Sequence, residues 1–279
     1  MTFIRWIGGK NILSKKIYSL VEDLDTSELD YYEPFLGSGI VLVKMLERNK
    51  FRNYYCSDIN EYLINAHRCV RDNCEELIDW LTLLNKDLTK ETYYERRKLF
   101  NVLKKQDMFT PFMAALFIYL NKTCYRGIYA ENLKGEMNVP YGYINRRIFV
   151  PEKIRKISKL YREHNVNFTV ADYRAYRYIE GSFFYLDPPY VGTFDKYTKV
   201  GFSTNEFTDF LTEVEKSNHV ILSNSADFQF HQELYQVQSV TLKDNVNRQE
   251  SHRKEILASS VSLLRLRGFH SSSSSDYAS

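Results

Sequence analysis

The sequence contains no hydrophobic run that approaches the roughly 20 consecutive apolar residues of a membrane-spanning helix. Residues 1–6 also lack the pattern of a signal peptide. These two absences predict a soluble, intracellular protein with no membrane partner.

Cysteine is scarce. Cys56, Cys69, Cys74 and Cys124 form neither a CxxC pair nor the regular spacing of a disulfide framework. His67 lies near two of them, which leaves a metal site as an alternative. We expect reduced thiols and no metal ion.

Neither sign of charge is in large excess, because the net charge of the 279 residues is only +3. The distribution is uneven, since residues 62–156 hold 17 Lys and Arg against 11 Asp and Glu, and the remainder is slightly acidic. This basic middle segment favours an insertion that binds a polyanion. A solvated helical surface that happens to be basic is the alternative. With 44% hydrophobic residues, the chain is long enough for one sizeable core and an inserted subdomain.

The segment Asp187-Pro188-Pro189-Tyr190 is the most informative part of the sequence. It follows the apolar run 183–186, a predicted buried strand, and ligand sites of open α/β sheets lie at such strand ends. The two prolines fix the backbone and remove two N–H donors. Asp187 and the Pro188 carbonyl can then each accept one N–H of a flat exocyclic amine, while Tyr190 stacks on its ring. A proline-rich turn with an ordinary tyrosine is the alternative.

Two glycine-containing segments come earlier in the chain, at residues 6–10 and 33–39. The second lies between a predicted strand near Tyr31 and an amphipathic helix, an arrangement typical of the first βα unit of a nucleotide-binding sheet. It lacks the dinucleotide pattern GxGxxG, and we expect its glycines to leave room for a ligand. The Glu33 carboxylate favours a ligand with positive charge, and Asp58 is placed to accept ribose hydroxyls. Adenosine with a cationic end describes S-adenosylmethionine; a plain helix start with a capping aspartate is the alternative.

The middle of the chain predicts helices from residue 61 to 105, with breaks near Asn73 and residues 87–89, and a further helix capped by Thr110. Residues 121–129 and 134–142 are predicted to be loop-like, basic and aromatic. Such a segment can contact phosphates and insert an aromatic ring into a base stack. A glycine-rich surface hairpin without this role would look similar.

The last third predicts a helix from Pro151 and strands that carry polar residues to the same sheet edge, including Asp172 and Tyr173 after residues 167–171. Residues 191–203 are predicted to form a lid with Phe194 and Tyr197. Strands at 236–242 and 255–264 are expected to flank a polar loop at 244–254. The serine-rich residues 271–279 are predicted to be disordered.

The motifs at residues 6–10, 33–39 and 187–190, in that order along the chain, resemble those of D12-class, Dam-type DNA adenine-N6 methyltransferases. The matching segments are Trp6-Ile7-Gly8-Gly9-Lys10, Glu33-Pro34-Phe35-Leu36-Gly37-Ser38-Gly39 and Asp187-Pro188-Pro189-Tyr190. Residues 121–142 resemble the recognition hairpin of that family, and Asn247, Arg248 and residues 255–257 resemble its C-terminal strand pair. The resemblance covers most of residues 3–265.

The resemblance implies a Rossmann-like α/β sheet with an inserted, mainly helical DNA-recognition subdomain. Residues 1–61 and 165–270 would form the catalytic domain, and residues 62–164 the recognition domain. The implied reaction transfers a methyl group from S-adenosylmethionine to N6 of a flipped adenine in duplex DNA, at a specific sequence and without a metal. The protein would act as a monomer, alone or with a cognate restriction endonuclease.

The same resemblance assigns roles to residues. The catalytic group is Asp187, Pro188, Pro189 and Tyr190. The cofactor group is Trp6, Gly8, Gly9, Lys10, Glu33, Phe35, Gly37, Ser38, Gly39, Asp58, Asp172, Tyr173 and Asp187, with Phe35 and Tyr173 flanking the adenosine. The DNA-binding group is Arg5, Lys122, Tyr125, Arg126, Ile128, Lys134, Asn138, Pro140, Arg146 and Arg147.

One position departs from the family pattern. Relatives that recognise GATC usually carry an arginine two residues after a Gly-aliphatic pair in the hairpin, whereas Gly127-Ile128 is followed here by Tyr129-Ala130. Alanine cannot make the two hydrogen bonds to guanine that arginine makes, so the sequence does not predict GATC specificity. An RNA or protein-glutamine methyltransferase of the same fold, and an inactive DNA-binding relative, remain open at this point.

Overall fold

A computed structural model of the chain describes residues 2–6, 10, 13–144, 148–190, 202–230, 235–246, 249–260 and 262–263. Within these ranges no helix has the length and apolar character needed to cross a bilayer. Several predicted features fall outside the described residues. They are Gly8, Gly9, Arg146, Arg147, the lid residues Phe194 and Tyr197, the pair Asn247 and Arg248, and the tail 271–279.

Seven strands form one sheet in the order β3-β2-β1-β4-β5-β7-β6. The first five in that order are parallel, and β7 runs antiparallel to both β5 and β6. The order reverses between β1 and β4, which opens a crevice at the carboxyl ends of these two strands. This topology confirms the predicted Rossmann-like sheet. The strands are β1 Asp30–Glu33, β2 Asn53–Asp58, β3 Asn167–Val170, β4 Phe183–Leu186, β5 His219–Ser225, β6 Tyr235–Val246 and β7 Gln249–Ser260.

Eight helices are described, and five of them, α3 to α7, lie between β2 and β3 in the chain. Their bounds are α1 Leu13–Ser19, α2 Ile40–Leu46, α3 Glu61–Asp72, α4 Cys74–Leu84, α5 Lys90–Lys104, α6 Pro111–Thr123, α7 Pro151–Glu163 and α8 Thr204–Val214. The predicted breaks at Asn73 and at residues 87–89 are confirmed. The loop predicted from Asn121 is wrong for three residues, which continue α6, where Asn121 and Thr123 are buried and the Thr123 hydroxyl donates to the Tyr119 carbonyl.

The sheet is covered on both faces. Strand β4 is buried at all four positions because it lies between two parallel neighbours and under helices on either side. One face packs into a large core with α2, α3 and α7, and the other packs against α8. The helices inserted after β2 share the large core with the sheet. Packing is therefore continuous across the two predicted domain boundaries, between residues 61 and 62 and between residues 164 and 165. The division into two domains stays a prediction.

The last two strands differ from the prediction. Strands β6 and β7 are 12 residues each, and they pair from Tyr235 with Ser260 to Val246 with Gln249. The polar loop expected at 244–254 is therefore largely part of a long hairpin. Polar composition indicated a loop, but antiparallel pairing uses backbone hydrogen bonds, which form whatever the polarity of the side chains.

The start of α6 provides a test of the local sequence signals. The Thr110 side chain accepts a hydrogen bond from the Met113 amide, and Pro111 occupies the first helical turn. Replacing this cap (Thr110→Ala) should lower the free energy of unfolding by about 1 kcal/mol, measured by urea denaturation. The control is Thr212→Ala in α8, where the hydroxyl donates only to the Thr208 carbonyl of its own helix. That variant should change stability by less than about 0.5 kcal/mol, and equal losses would contradict a capping role.

Candidate active site

The glycine segment and the Asp-Pro-Pro-Tyr segment meet at the crevice where the strand order reverses. Strand β1 leads into residues 33–39 and β4 leads into residues 187–190, and the two strands pair in parallel with Tyr32 opposite Phe184. Their carboxyl ends therefore lie side by side. This placement confirms that both motifs lie at the carboxyl edge of the sheet, where ligand sites of open α/β sheets are found.

Lys10 and Asp187 form an ion pair at this edge, in which the lysine is buried and the aspartate is half-buried. The Lys10 Nζ atom lies 2.8 Å from Asp187 Oδ1, and the lysine side chain is only 3% exposed. The same ammonium donates to the Tyr190 hydroxyl at 2.7 Å and lies 4.9 Å from the centre of the Tyr190 ring. The Ser223 hydroxyl of β5 adds a hydrogen bond to Asp187 Oδ1 at 2.9 Å. Three residues that the sequence assigned to the site are thus in contact.

Burial raises the pKa of the Asp187 carboxyl above its ordinary value. The ammonium of Lys10 and the hydrogen bonds from Lys10 and Ser223 oppose that rise, while the nearby carboxylate of Glu255 adds to it. The result is a hydrogen-bond acceptor in a poorly hydrated place, where its interactions are stronger than they would be in water.

Glu255 is a residue of this site that the sequence analysis missed. It lies on β7 opposite Ser225 of β5, is fully buried, and places Oε2 3.8 Å from Lys10 Nζ. The sequence identified residues 255–257 only as part of a strand pair. No local spacing could have connected Glu255 with Lys10, because the β5–β7 register brings the two residues together.

The glycine turn, residues 33–39, is packed against protein side chains. Gly37 and Gly39 have φ angles of +49° and +67°, in the left-handed region that favours glycine. A Cβ atom on Gly37 would lie 2.8 Å from Trp6 Cδ1, and one on Gly39 would lie 2.9 Å from His67 Cε1. The sequence analysis expected these glycines to leave room for a ligand; the structure gives a second reason, which is close packing of Trp6 and His67.

Asp58, at the end of β2, forms a hydrogen bond with the glycine turn. Its Oδ2 accepts the Gly37 amide at 3.1 Å and its Oδ1 accepts the Asn60 amide at 2.9 Å. Burial raises the pKa of the Asp58 carboxyl to about 6, although these amide hydrogen bonds oppose the rise. Each carboxylate oxygen has a further lone pair, so Asp58 retains the capacity to accept hydroxyl groups.

Glu33 is placed differently from the expectation that its charge would face a ligand. The side chain is 2% exposed and its Oε2 accepts the Tyr31 hydroxyl at 2.7 Å. Burial raises the pKa of the Glu33 carboxyl to about 8, which leaves it mostly protonated at neutral pH. A neutral carboxyl does not attract a cation, but a cation bound beside it would lower its pKa and restore the charge.

His67 supports the glycine turn from α3. Its Nε2 lies 3.0 Å from the Gly37 carbonyl oxygen and its Nδ1 lies 3.0 Å from the Tyr161 hydroxyl of α7. Burial lowers the pKa of His67 to about 4, so the ring is neutral and one ring nitrogen carries a proton. Across the described part of the chain, no group of His, Cys, Asp and Glu is arranged to hold a metal ion. The expectation that no metal ion is needed stays a prediction.

Phe35 and Tyr173 were expected to flank an adenosine. Their rings are stacked on each other with centroids 5.3 Å apart and planes 29° apart. A purine between them would need a separation of about 7 Å, twice the usual contact distance, so in this arrangement they form one aromatic wall. Two further residues of the predicted cofactor group have structural contacts. Asp172 caps the short turn Tyr173–Tyr176 by accepting a hydrogen bond from the Arg174 amide. The Ser38 side chain is buried at the glycine turn.

Residues 124–142 fold as a hairpin, as predicted. Cys124 pairs with Tyr141 and Glu131 pairs with Met137. The side chain of Tyr125 is 48% exposed, and Arg126 lies over its ring at 5.1 Å. Five of the residues expected to bind DNA are exposed along this hairpin: Tyr125, Arg126, Lys134, Asn138 and Pro140. Lys122 and Ile128 are half-buried at its base.

The N-terminal segment joins the hairpin to the glycine turn, a connection that the sequence analysis did not anticipate. Asn121 accepts the Arg5 amide and donates to the carbonyl groups of Arg5 and Gly127. The Trp6 ring stacks on Tyr129 with centroids 6.3 Å apart. Because a Cβ atom on Gly37 would also strike Trp6, this one ring lies between the glycine turn and the hairpin.

The comparisons with known proteins agree with this geometry. The sequence pattern of the D12 class N6 adenine-specific DNA methyltransferases matches residues 6–249. The chain belongs to this family. A type II methyltransferase of Methanocaldococcus jannaschii, M.MjaIII, is 35% identical over 91% of this chain and 95% of its own length. The DNA adenine methylase of Escherichia coli K12 is 33% identical over 74% of this chain and 70% of its own length.

As a member of this family, the protein is a DNA adenine-N6 methyltransferase, which decides between the alternatives that the sequence left open. Among solved structures, an rRNA methyltransferase from Streptomyces viridochromogenes aligns over 91% of this chain and 86% of its own, with 11% identity and a TM-score of 0.37. That score is too low to support an argument. The assignment of this methyltransferase depends on the sequence comparisons.

The packing at Gly39 can be tested against a matched glycine. Gly39→Ala adds a Cβ to a left-handed residue in contact with His67 and Tyr161, whereas Gly181 has a similar φ of +63° and no atom within 4 Å of the added carbon. Both substitutions should cost about 1–2 kcal/mol of backbone strain. Gly39→Ala should cost a further 1–3 kcal/mol or so because its site is filled. Urea denaturation measures both, and equal losses would show that packing at the turn is unimportant.

Proposed function

We propose that the crevice between β1 and β4 binds S-adenosylmethionine together with a target adenine that has left the DNA duplex. In this proposal Asp187 holds the adenine N6 amino group. The observation that carries the proposal is the position of the Asp187 carboxylate, half-buried at the tip of β4 and supported by Lys10 and Ser223. A flipped base is required, because N6 inside a duplex cannot reach this crevice.

The side chains at this edge fit the proposed cofactor. S-adenosylmethionine supplies a methyl group on an electrophilic sulfonium sulfur. Asp58 lies at the end of β2 with acceptor capacity for ribose hydroxyls, and the wall of Phe35 and Tyr173 offers an aromatic surface to a purine. The carboxylates of Asp58 and Asp187 favour a ligand with a cationic end over one with a pyrophosphate. The other cofactor residues assigned from the sequence belong to the same proposal.

The chemistry of N6 explains why this acceptor set is needed. The lone pair of the adenine amino group is delocalised into the ring, which makes the nitrogen a poor nucleophile. Hydrogen bonds from its two N–H groups to the Asp187 carboxylate and the Pro188 carbonyl favour the more tetrahedral nitrogen of the transition state. Because Pro188 and Pro189 have no N–H, neither can compete as a donor beside these acceptors. The raised pKa of Asp187 also suits it to accept the proton that N6 loses.

Binding of DNA is assigned to the hairpin and the N-terminal segment. Tyr125 is exposed and can enter the space that a flipped base leaves, while Arg126 and Lys134 can neutralise phosphates. The backbone of Arg5 is held at the hairpin base by Asn121, which favours a base contact from this arginine. Lys122, Ile128, Asn138 and Pro140 complete the proposed DNA surface. Arg146 and Arg147, which lie outside the described residues, are proposed to bind DNA from the sequence resemblance alone.

The site is built from one chain, and this supports a protein that acts as a monomer. Lys10, Asp187 and Glu255 come from distant parts of the same sequence and meet without a second copy. Two relatives are type II methyltransferases, from Methanocaldococcus jannaschii and Lactococcus lactis. We infer from them a companion restriction endonuclease for this protein.

Replacement of the proposed acceptor should strongly slow methyl transfer. Asp187→Ala should reduce methyl transfer by about a hundredfold to a thousandfold or more, since it removes a hydrogen bond that strengthens in the transition state. Transfer of tritiated methyl groups to duplex DNA measures this, and filter binding should show DNA affinity within a few-fold of the unmodified protein. Asp79→Ala, on an exposed face of α4, is the control and should retain full activity. Near-normal turnover by Asp187→Ala would remove the proposed mechanism.

The recognised sequence is proposed to differ from GATC. Ala130 lies in the hairpin, where its carbonyl accepts the Asn138 amide, and its methyl side chain cannot donate to a guanine. DNA from cells that express the protein should remain cleavable by a nuclease that cuts only unmethylated GATC. Methylation-sensitive sequencing of the same DNA should place N6-methyladenine in another motif. A GATC-methylating relative expressed in parallel is the control, and complete protection of GATC by this protein would refute the proposal.

A further inference from the structure

Two buried hydroxyl groups lie behind the Asp187 carboxylate in a chain of hydrogen bonds. The Ser223 hydroxyl contacts Asp187 Oδ1 at 2.9 Å, and the Tyr185 hydroxyl lies 2.9 Å from Ser223 Oγ. Ser223 is fully buried and Tyr185 is 1% exposed, whereas the side chain of Asp187 is 20% exposed. The chain therefore leads from the interior of the protein to a group that a ligand can reach.

Strand register brings these side chains together. Tyr185 of β4 pairs in parallel with Ile221 of β5, and Ser223 follows Ile221 by two residues. Side chains two residues apart on a strand point to the same face, so the Tyr185 ring and the Ser223 hydroxyl project from one face of the sheet. Asp187 follows Tyr185 by two residues, just beyond the end of β4.

The Lys10 ammonium fixes the direction of these hydrogen bonds. An ammonium can only donate, so Asp187 Oδ1, at 2.8 Å from Lys10 Nζ, accepts there and carries no proton. Ser223 must then donate its single hydroxyl proton to this oxygen, and the Tyr185 hydroxyl must donate to Ser223 Oγ. Burial raises the pKa of Tyr185 well above its ordinary value, which keeps that proton in place.

Both donors contact the same oxygen of Asp187. Within the described part of the chain, the ion pair and the hydrogen bonds of the Asp187 side chain are all made by Oδ1. The terminal torsion of an aspartate is broad and roughly twofold, so an unsupported carboxylate can tilt or exchange its two oxygens. Two donors on Oδ1 oppose this and leave the lone pairs of Oδ2 for a ligand.

We propose that Ser223 and Tyr185 are positioning residues that hold Asp187 by Oδ1 and thereby make Oδ2 the oxygen that accepts the adenine N6–H. This inference rests on the proposed function of Asp187. Neither residue belongs to the proposed DNA or cofactor groups, so both act through the carboxylate. Tyr185 acts one step further away, because it keeps the Ser223 hydroxyl in the donating orientation.

Loss of the Ser223 hydroxyl should slow methyl transfer without weakening binding. In Ser223→Ala the single-turnover rate should fall about tenfold, because Oδ1 keeps one donor and the acceptor is less well aligned. Affinities for S-adenosylmethionine and duplex DNA should stay within about twofold, since ground-state binding is unchanged. The control is Ser182→Ala, at a buried serine just before β4 whose hydroxyl donates to the Glu180 carbonyl, and it should keep the full rate.

The pH dependence of this rate separates positioning from a general loss of stability. Burial raises the pKa of Asp187, the nearby Glu255 and Glu33 carboxyls favour its protonated form, and Lys10 and the Ser223 hydrogen bond oppose the rise. Removal of the Ser223 hydroxyl should raise this pKa further. Since transfer needs an unprotonated carboxylate, the rate is lost as the pH falls through this pKa. The acidic limb of the profile of Ser223→Ala should therefore move to higher pH.

The experiment is a double-mutant cycle of Ser223→Ala and Tyr185→Phe, with tritiated methyl transfer to a duplex that carries the sequenced recognition motif. Tyr185→Phe alone should slow transfer about twofold to threefold, since Ser223 keeps its proton but loses its fixed orientation. In the Ser223→Ala background it should cause no further loss, because the link to Asp187 is already broken. It should instead raise the urea midpoint of that background, where the buried Tyr185 hydroxyl has lost Ser223 as its acceptor.

Three results would overturn the inference. Equal slowing by Tyr185→Phe in both backgrounds would show that Tyr185 acts through packing. An unchanged rate of Ser223→Ala, or a slower rate with an unshifted acidic limb, would show that the hydroxyl does not position the acceptor. If the alanine variant does not fold, Ser223→Cys carries the test, because it fills the site with a weak donor. Normal transfer by Asp187→Ala would remove the proposed function, whereas an inactive Asp187→Ala beside an unimpaired Ser223→Ala removes only this inference.

Discussion

The buried pairing of Lys10 with Asp187 is the interaction on which the geometry of the site depends. The Lys10 ammonium is buried and would be strongly unfavourable without a partner, and it in turn holds the half-buried Asp187 carboxylate in place. Lys10 precedes the first helix and Asp187 follows β4, and the pair therefore ties the start of the chain to the tip of a central strand. Ser223 and Glu255 extend the cluster to β5 and β7. The acceptor proposed to hold adenine N6 is thus positioned by four separate parts of the fold.

A second connection joins the two surfaces that are proposed to bind the cofactor and DNA. Trp6 fills the space above Gly37 and stacks on Tyr129 at the base of the hairpin. Asn121 holds the backbone of Arg5 to the same base. The glycine turn and the hairpin therefore share a packed boundary. A change in either surface that displaces Trp6 has to disturb the other, because interiors packed at this density do not deform freely.

Local signals predicted much of the fold. The apolar residues of β4, the cap at Thr110 and the break at Asn73 each depend on chemistry within a few residues, and the structure confirms them. The errors arose where distant residues decide the outcome. Residues 244–246 are polar enough for a loop, yet they pair with residues 249–251 of the neighbouring strand. Asn121 was predicted to lie in a loop, yet it continues α6 because its amide group is buried against Arg5 and Gly127.

By itself, the sequence determined the chemistry of this methyltransferase. The order of its motifs, the proposed acceptor set of Asp187 and Pro188, and the absence of an arginine at Ala130 are all properties of the sequence alone. Only the tertiary structure decided which groups meet: Glu255 beside Lys10, His67 beneath Gly37, and Phe35 against Tyr173. The reason is physical. These contacts follow from strand register and helix packing. Apolar patterning predicts single elements, but it does not show which distant residues the register and packing bring together.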